Sequence, residues 1–290
     1  MQPWLPFRPA EGGVVSRVVS RSLSAVFALS LASACKPTPA GPAPDGADGS
    51  GPTPATDDAS ATDGASADRP PEADSLPAAE DVLAAAVAAI GGKDKVAAVT
   101  SFYSEATMTI EAQKLSAEIR TWWKNGDFYI ENDMAGVGLT QLWKRGDEIW
   151  SSDPISGKRK LAGAELAQTA WAGSLSIAAD HAKFFTEAKT TGRRTVGEAE
   201  LVDVVLTDAT GNVLTLSFDT STKLLAEQRF TQATPMGDVP VHIVMDDYRP
   251  VAGLMTSHRT VTRMSVVEAV QTLDKFEVGV AIDDAKLTPR

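Results

Sequence analysis

The 290-residue chain has a single cysteine, Cys35, so no disulfide can form within one copy. Its three histidines, His181, His242 and His258, lie far apart, and none stands at metal-ligand spacing from another. The zinc signatures HExxH and HxxEH are missing, as are a GxSxG elbow and a GxxxxGK phosphate loop. Lys and Arg number 27 against 38 Asp and Glu, a net charge of −11. No basic, aromatic-interleaved patch stands out, which with the acidic balance argues against nucleic acid as a partner. Asp246-Asp247 is the one paired-acid motif weighed for acid/base or calcium chemistry. Its place at a strand end before Arg249-Pro250 favours a turn cap. The reading that follows is a protein with no catalytic residues, no metal and no cofactor, and hence not an enzyme.

What is present begins with an export signal. Arg8, Arg17 and Arg21 precede a short uncharged apolar run, Ser22–Leu31, too short for the ~20 residues that span a bilayer. Ala32-Ser33-Ala34-Cys35 follows and matches a bacterial lipobox, with Ala32 where Leu is usual. Residues 1–34 are therefore read as a lipoprotein signal peptide and Cys35 as the lipid attachment site. A free thiol behind an ordinary cleaved signal is the bland alternative. Several acyl chains anchor firmly where one holds only marginally. The sequence from Cys35 to Leu76 is Pro, Ala, Gly, Ser, Thr and Asp almost throughout, with eight prolines and no aromatic residue. Such a segment buries too little apolar surface to offset its ordering entropy, and it is predicted to be an extended tether. Lys36 after the cysteine, in place of an inner-membrane-retaining Asp, leans towards the outer membrane, with the domain facing the periplasm.

Residues 77–290 read as one domain, long enough for a substantial core. A helix opens it: Pro77 at the first position, Glu80 and Asp81 in the first turn, an apolar stripe of Val82, Leu83, Ala86, Val87 and Ile90, then Gly91-Gly92 to end it. Alternating apolar positions then predict strands over 101–112, 114–124, 128–133, 139–145 and 148–152, with Asn125-Gly126 as a hairpin turn. Residues 161–175 and 178–189 read as helices. Six more strands are expected over 201–207, 213–219, 224–232, 239–248, 254–264 and 267–278. Their short connections require antiparallel pairing. The expected fold class is α+β: a strongly curled antiparallel sheet of about 10–11 strands, an incomplete β-barrel, with a helical lid on its concave face.

The run from Val82 through Gly91-Gly-Lys93 to Ser101 resembles a pattern in outer-membrane lipoprotein-sorting-like proteins. Lys223–Gln228, Val239–Tyr248 and Phe276–Lys286 fit it as well. The resemblance implies the LolA/LolB-like fold, a half-barrel whose hydrophobic cavity binds acyl chains. It identifies structure and carries over no ligand-binding residue.

Two groups of residues follow as candidates. Adjacent strand residues point to opposite faces, so Trp123 shares the inner face with Ile119 and Ala117, and Trp122 faces out with Glu118 and Arg120. Trp123, Ile119 and Phe184 are candidate cavity-lining residues, core packing being the alternative. The apolar, glycine-flexible stretch Met134–Leu139 is a candidate acyl-chain or membrane contact loop through Met134, Val137 and Leu139, with a buried bulge as the alternative. The function expected is binding of lipid, or of the acyl chains of lipoproteins, by a periplasmic domain held to a membrane by its lipid anchor. A second reading is an envelope sensor or scaffold that binds a protein partner through the same fold.

Overall fold

Two β-meanders and four helices make up the structure, a computed structural model that describes residues 76–290 apart from 236 and 266. The signal peptide, Cys35 and the tether, save Leu76, lie outside the described residues. Helix α1 (Ala79–Ala89) buries Val82, Leu83, Ala86 and Val87, the stripe that its spacing predicts, and α2 (Lys93–Ala97) follows as a short turn. Gly91 between them has φ 128°, and a Cβ there would stand 2.5 Å from the Gly253 carbonyl oxygen. Only glycine permits that approach. Nearby, the Met255 amide donates to the Ile90 carbonyl at 2.9 Å and fastens the end of α1 to the sheet.

The first meander comprises β1 (Ser101–Ile110), β2 (Leu115–Lys124), β3 (Asp127–Met134), β4 (Gly138–Arg145), β5 (Glu148–Asp153) and β6 (Gly157–Lys160). Helices α3 (Gly163–Ala172) and α4 (Ile177–Phe184) come next. The second meander comprises β7 (Glu187–Val196), β8 (Ala199–Thr207), β9 (Val213–Asp219), β10 (Leu225–Thr234), β11 (Gly237–Val251), β12 (Leu254–Met264) and β13 (Val267–Val278). All pair in one antiparallel sheet of 13 strands, ordered β6-β5-β4-β3-β2-β1-β13-β12-β11-β10-β9-β8-β7. The first and last strands, β1 and β13, join the two meanders at its middle.

The sheet exceeds the 10–11 strands expected; the two beyond the eleven ranges predicted, β6 and β7, are its edges. The GKRK of β6 and the EAKTTGRRTV of β7 bury almost nothing and carry no apolar alternation. Residues 187–189, read as the end of a helix, belong to β7. Charged, polar edges resist pairing with another chain, and for the same reason they escape a search for hydrophobic periodicity.

The edges also explain the curl. The segment carrying α3 and α4 leaves the sheet at one edge, β6, and rejoins it at the other, β7. Thirteen flat strands at ~4.8 Å spacing would put those edges about 58 Å apart. The ten residues of α3 and eight of α4 rise only about 27 Å in all, and the two helices pack on each other. Helix α3 contacts both β5 and β10, eight places apart in the sheet, so the sheet curls and the helices lie over its concave face. One hydrophobic core results. It draws Phe102, Phe128 and Ile130 from the first meander, Leu206, Leu216 and Ile243 from the second, and Leu83 and Trp171 from the helices.

The convex face carries a second, smaller cluster. Tyr103, Trp122, Tyr129, Trp143 and Trp150 lie in register across β1 to β5, with neighbouring ring centroids 5.1–5.4 Å apart along the first four. The C-terminal residues fold back over this row and bury Ile282 and Leu287 against it.

Candidate functional site

The concave face holds a cavity of about 140 Å³ beneath the ends of the helices. Its floor is β9 to β13, through Leu214, Phe218, Gln228, Met245 and Phe276, and its roof is the α3–α4 junction with Trp171, Leu175 and Ile177. Ile90 and Val96 close the side next to α1 and α2. No charged side chain and no histidine lines it. Leu225, Met245 and Tyr248 remain half-buried although they face inward, because what they face is empty space. The Tyr248 hydroxyl donates to the Leu225 carbonyl at 2.6 Å, and burial pushes its pKa above the ordinary tyrosine value.

Polar pins hold the roof in place. Gln168 of α3, only 3% exposed, donates to the Thr231 carbonyl at 2.7 Å and accepts from the Ala233 amide at 2.8 Å, so α3 docks on β10. Trp171 sets its edge on Phe230 of the same strand, centroids 5.1 Å apart. At the far end of α3, the Gly173 carbonyl accepts from the Trp123 indole at 3.1 Å. Ser176 caps α4 by accepting from the Ala179 amide, and Ser174 donates to Asp180 at 2.7 Å. His181 of α4 is half-buried and meets Glu80 of α1 at 3.2 Å. These contacts make the three helices one roof.

Two polar side chains in the cavity wall are left over. The Gln228 amide oxygen and the Trp171 indole nitrogen have no hydrogen-bond partner, although the residues are 4% and 3% exposed. Gln228 lies two residues before Phe230 on β10 and so shares its inward face. An inward Gln between apolar neighbours is the one signal in the sequence that could have marked this place.

The candidates fall elsewhere. Trp123 and Ile119 face inward on β2 and are buried in the core, Trp123 stacked on Phe102 at 5.2 Å, but neither lines the cavity. Phe184 at the end of α4 is half-buried against the same core and also lies outside the cavity wall. Met134 ends β3 and is buried, whereas Val137 and Leu139 at the β3–β4 turn are 43% and 42% exposed. This turn is remote from the cavity. Cross-strand register runs Met134, Ala117, Met108, Gln271, Thr260, Met245, which is five strand spacings. The stretch is a tight hairpin turn, with Met134 ending β3 and Gly138 beginning β4, in place of a flexible loop.

Outside the cavity, the most polar cluster lies on the convex face of the second meander. Glu227, 5% exposed, accepts from Arg194 at 2.7 Å, contacts Arg229, and meets His242 at 3.0 Å. Burial works to raise the Glu227 carboxyl pKa. The Arg194 hydrogen bond and the Arg229 charge outweigh it and hold the carboxyl below the ordinary glutamate value. Asp246 and Asp247 bond Arg259 and Arg249 as ordinary surface ion pairs. Among the described residues no three His, Cys, Asp or Glu side chains gather closely enough to hold a metal ion. A larger hollow of about 550 Å³ lies between Lys124-Asn125 and Val280–Asp283, but turn and terminal residues bound it and the charged Lys124 and Asp283 stand in its wall.

No family model and no curated protein matches the sequence. Solved structures do match the fold. A DUF1329 family protein from Desulfovibrio piger aligns over 73% of this chain and 98% of its own, with TM-score 0.53 and 14% identity. A LolA superfamily protein from Nitrosomonas europaea aligns over 74% of this chain and 99% of its own, with TM-score 0.51 and 13% identity. At that identity what is shared is architecture, since one fold hosts many functions. The open 13-stranded sheet roofed by helices is therefore similar in fold to the LolA superfamily.

Proposed function

We propose that this chain is a lipid-anchored protein of the bacterial envelope, probing or carrying lipid in the cavity under its helical roof. It performs no chemistry. The observation that carries the reading is the cavity itself: an uncharged pocket in a curled sheet, walled by Phe218, Met245, Leu175 and Ile177. Burial of acyl chain there contributes about 0.8 kcal/mol per methylene group. Lipobox-like Cys35 and the acidic tether after it support attachment to a membrane, with the outer membrane and a periplasm-facing domain as the finer reading. The ligand is a lipid or the acyl chains of a lipoprotein, and sorting of either between membranes is the role that fits a carrier.

The cavity is smaller than the ~300–1,000 Å³ of ordinary ligand pockets. Entry of a whole acyl chain therefore requires the roof to lift. A second reading, an envelope sensor or scaffold that binds a protein partner, draws on the same small volume and on the exposed Val137, Leu139 and Ile155 at one end of the sheet.

Native mass spectrometry with lipid extraction, on a chain lacking residues 1–35 and purified without detergent, tests the choice. A co-purified lipid that disappears when Met245→Trp fills the cavity supports the carrier. A clean unliganded mass that also refuses added lipid rejects it and favours the partner-binding reading.

A further inference from the structure

The two unpartnered atoms of the cavity wall define what it selects. The Trp171 indole is a donor with nothing to donate to, and the Gln228 amide oxygen an acceptor with nothing to accept from. Both residues line the same cavity, and Phe230 ties them together: Trp171 packs on its ring and Gln228 stands beside it on the same strand face. A buried polar group without a partner costs free energy, and native structures hold few of them. Gln168 and Gln232 nearby bond each other and the backbone, and Tyr248 bonds Leu225, while Thr260, paired with Met245 but outside the cavity wall, also keeps a hydroxyl without a partner.

Resting on the lipid-binding reading above, we infer that Trp171 and Gln228 form a recognition site for an uncharged, hydroxyl-bearing lipid such as a monoacylglycerol or long-chain alcohol. A hydroxyl group can both accept from the indole and donate to the amide oxygen, so a lipid that carries hydroxyls answers both groups. An ester carbonyl without a hydroxyl accepts from the indole and leaves the amide oxygen unanswered. A carboxylate or phosphate is disfavoured, because the wall offers no Lys, Arg or His to pair with its charge. The cavity's volume suits the polar end and the first carbons of such a molecule, with the rest of the chain following as the roof lifts.

The test is equilibrium binding of three probes of equal chain length, 1-monoolein, methyl oleate and oleate at pH 8, to the full chain, by competition with a fluorescent lipid. The expected result is monoolein at least about tenfold tighter than methyl oleate, with oleate weakest. In Gln228→Leu the preference shrinks to about twofold or less while methyl oleate binds as before, and in Trp171→Phe monoolein and methyl oleate both weaken because both lose the indole donor. Gln228→Met serves as a second variant should the leucine fail to fold, and circular dichroism confirms the fold of each. Equal binding of monoolein and methyl oleate, a preference for oleate, or a monoolein preference that survives Gln228→Leu overturns this inference and leaves lipid binding standing. Failure of all three probes to bind overturns the lipid-binding reading along with it.

Discussion

The indole nitrogen of Trp123 donates to the Gly173 carbonyl at 3.1 Å, tying the second strand of the sheet to the end of the first roof helix. Gly173 can sit there only because it lacks a side chain: a Cβ would come within 2.2 Å of the Phe128 ring. Gly173→Ala is expected to destabilise the protein by about 1–3 kcal/mol through overpacking. Trp123→Phe, which keeps most of the ring but drops the donor, is expected to cost about 1 kcal/mol. Calorimetry gives the totals, and hydrogen exchange over 163–184 should rise in both variants. Unchanged exchange there would mean that the roof is held by its other contacts.

The Glu227 cluster predicts an acid limb. Its carboxyl is held below the ordinary value by Arg194 and Arg229, so the native state binds the proton less readily than the unfolded chain does. The stabilisation is full above the unfolded glutamate pKa of about 4.3 and is lost as pH falls through the lower folded value. Glu227→Gln is expected to lower stability by about 2 kcal/mol at pH 7, discounted for the partial exposure of both arginines. It should also flatten the slope below pH 4.5. Denaturant titrations across pH 3–7 check both, and a slope unchanged by the substitution would assign the acid limb to other carboxylates.

On the convex face Lys286 places its ammonium 4.0 Å from the Trp122 ring centroid and 4.7 Å from that of Tyr129, and bonds Glu131 at 3.3 Å. Lys286→Gln is expected to cost about 0.5–1 kcal/mol. Removing residues 281–290 uncovers the aromatic row and should shift tryptophan emission to longer wavelength, with a loss of about 1–3 kcal/mol as Ile282 and Leu287 leave their cluster. Fluorescence and thermal melts read both effects.

At the β3–β4 turn, exposure separates two roles. Val137→Ser and Leu139→Ser should change stability by less than about 0.5 kcal/mol, because both side chains stand in solvent, while weakening association with lipid vesicles. Met134→Ser should cost about 2–4 kcal/mol, because that side chain is 6% exposed and lies in the core. Vesicle co-sedimentation beside melting curves distinguishes the two. Vesicle binding untouched by the double serine variant removes the turn from any membrane role.

Cys35→Ser tests the anchor. The variant is expected to leave the membrane fraction for the soluble one, with the melting temperature of the domain unchanged, since Cys35 lies 44 residues before Ala79, where the first helix begins. Retention in the membrane fraction would point to another attachment.

Short-range pattern was readable directly. The period-2 alternation that sets Trp123 inward and Trp122 outward depends only on neighbouring residues and the pleat, and the structure has both where alternation puts them. Asn125 and Gly126 turn the β2–β3 hairpin with φ 50° and 90°, again a property of two residues. Phe184 shows where such pattern stops. Being apolar and on a lid helix made it a candidate for the cavity, but which helical residues reach that space depends on the angle at which α4 crosses α1 and the sheet.

The sequence by itself determined the α+β class, the presence of eleven strands, the inward and outward faces of β2, and the helices that had to cover the concave side, because each follows from periodicity within a few residues. Tertiary structure alone decided the rest. The polar edges β6 and β7 are strands only because their neighbours offer backbone groups to pair with. The join of β1 to β13 brings together residues some 170 positions apart. The cavity exists where the helical segment, stretched from one edge to the other, fails to fill the curl beneath it, and so its wall gathers Trp171, Gln228 and Tyr248 from parts of the chain that share no local pattern.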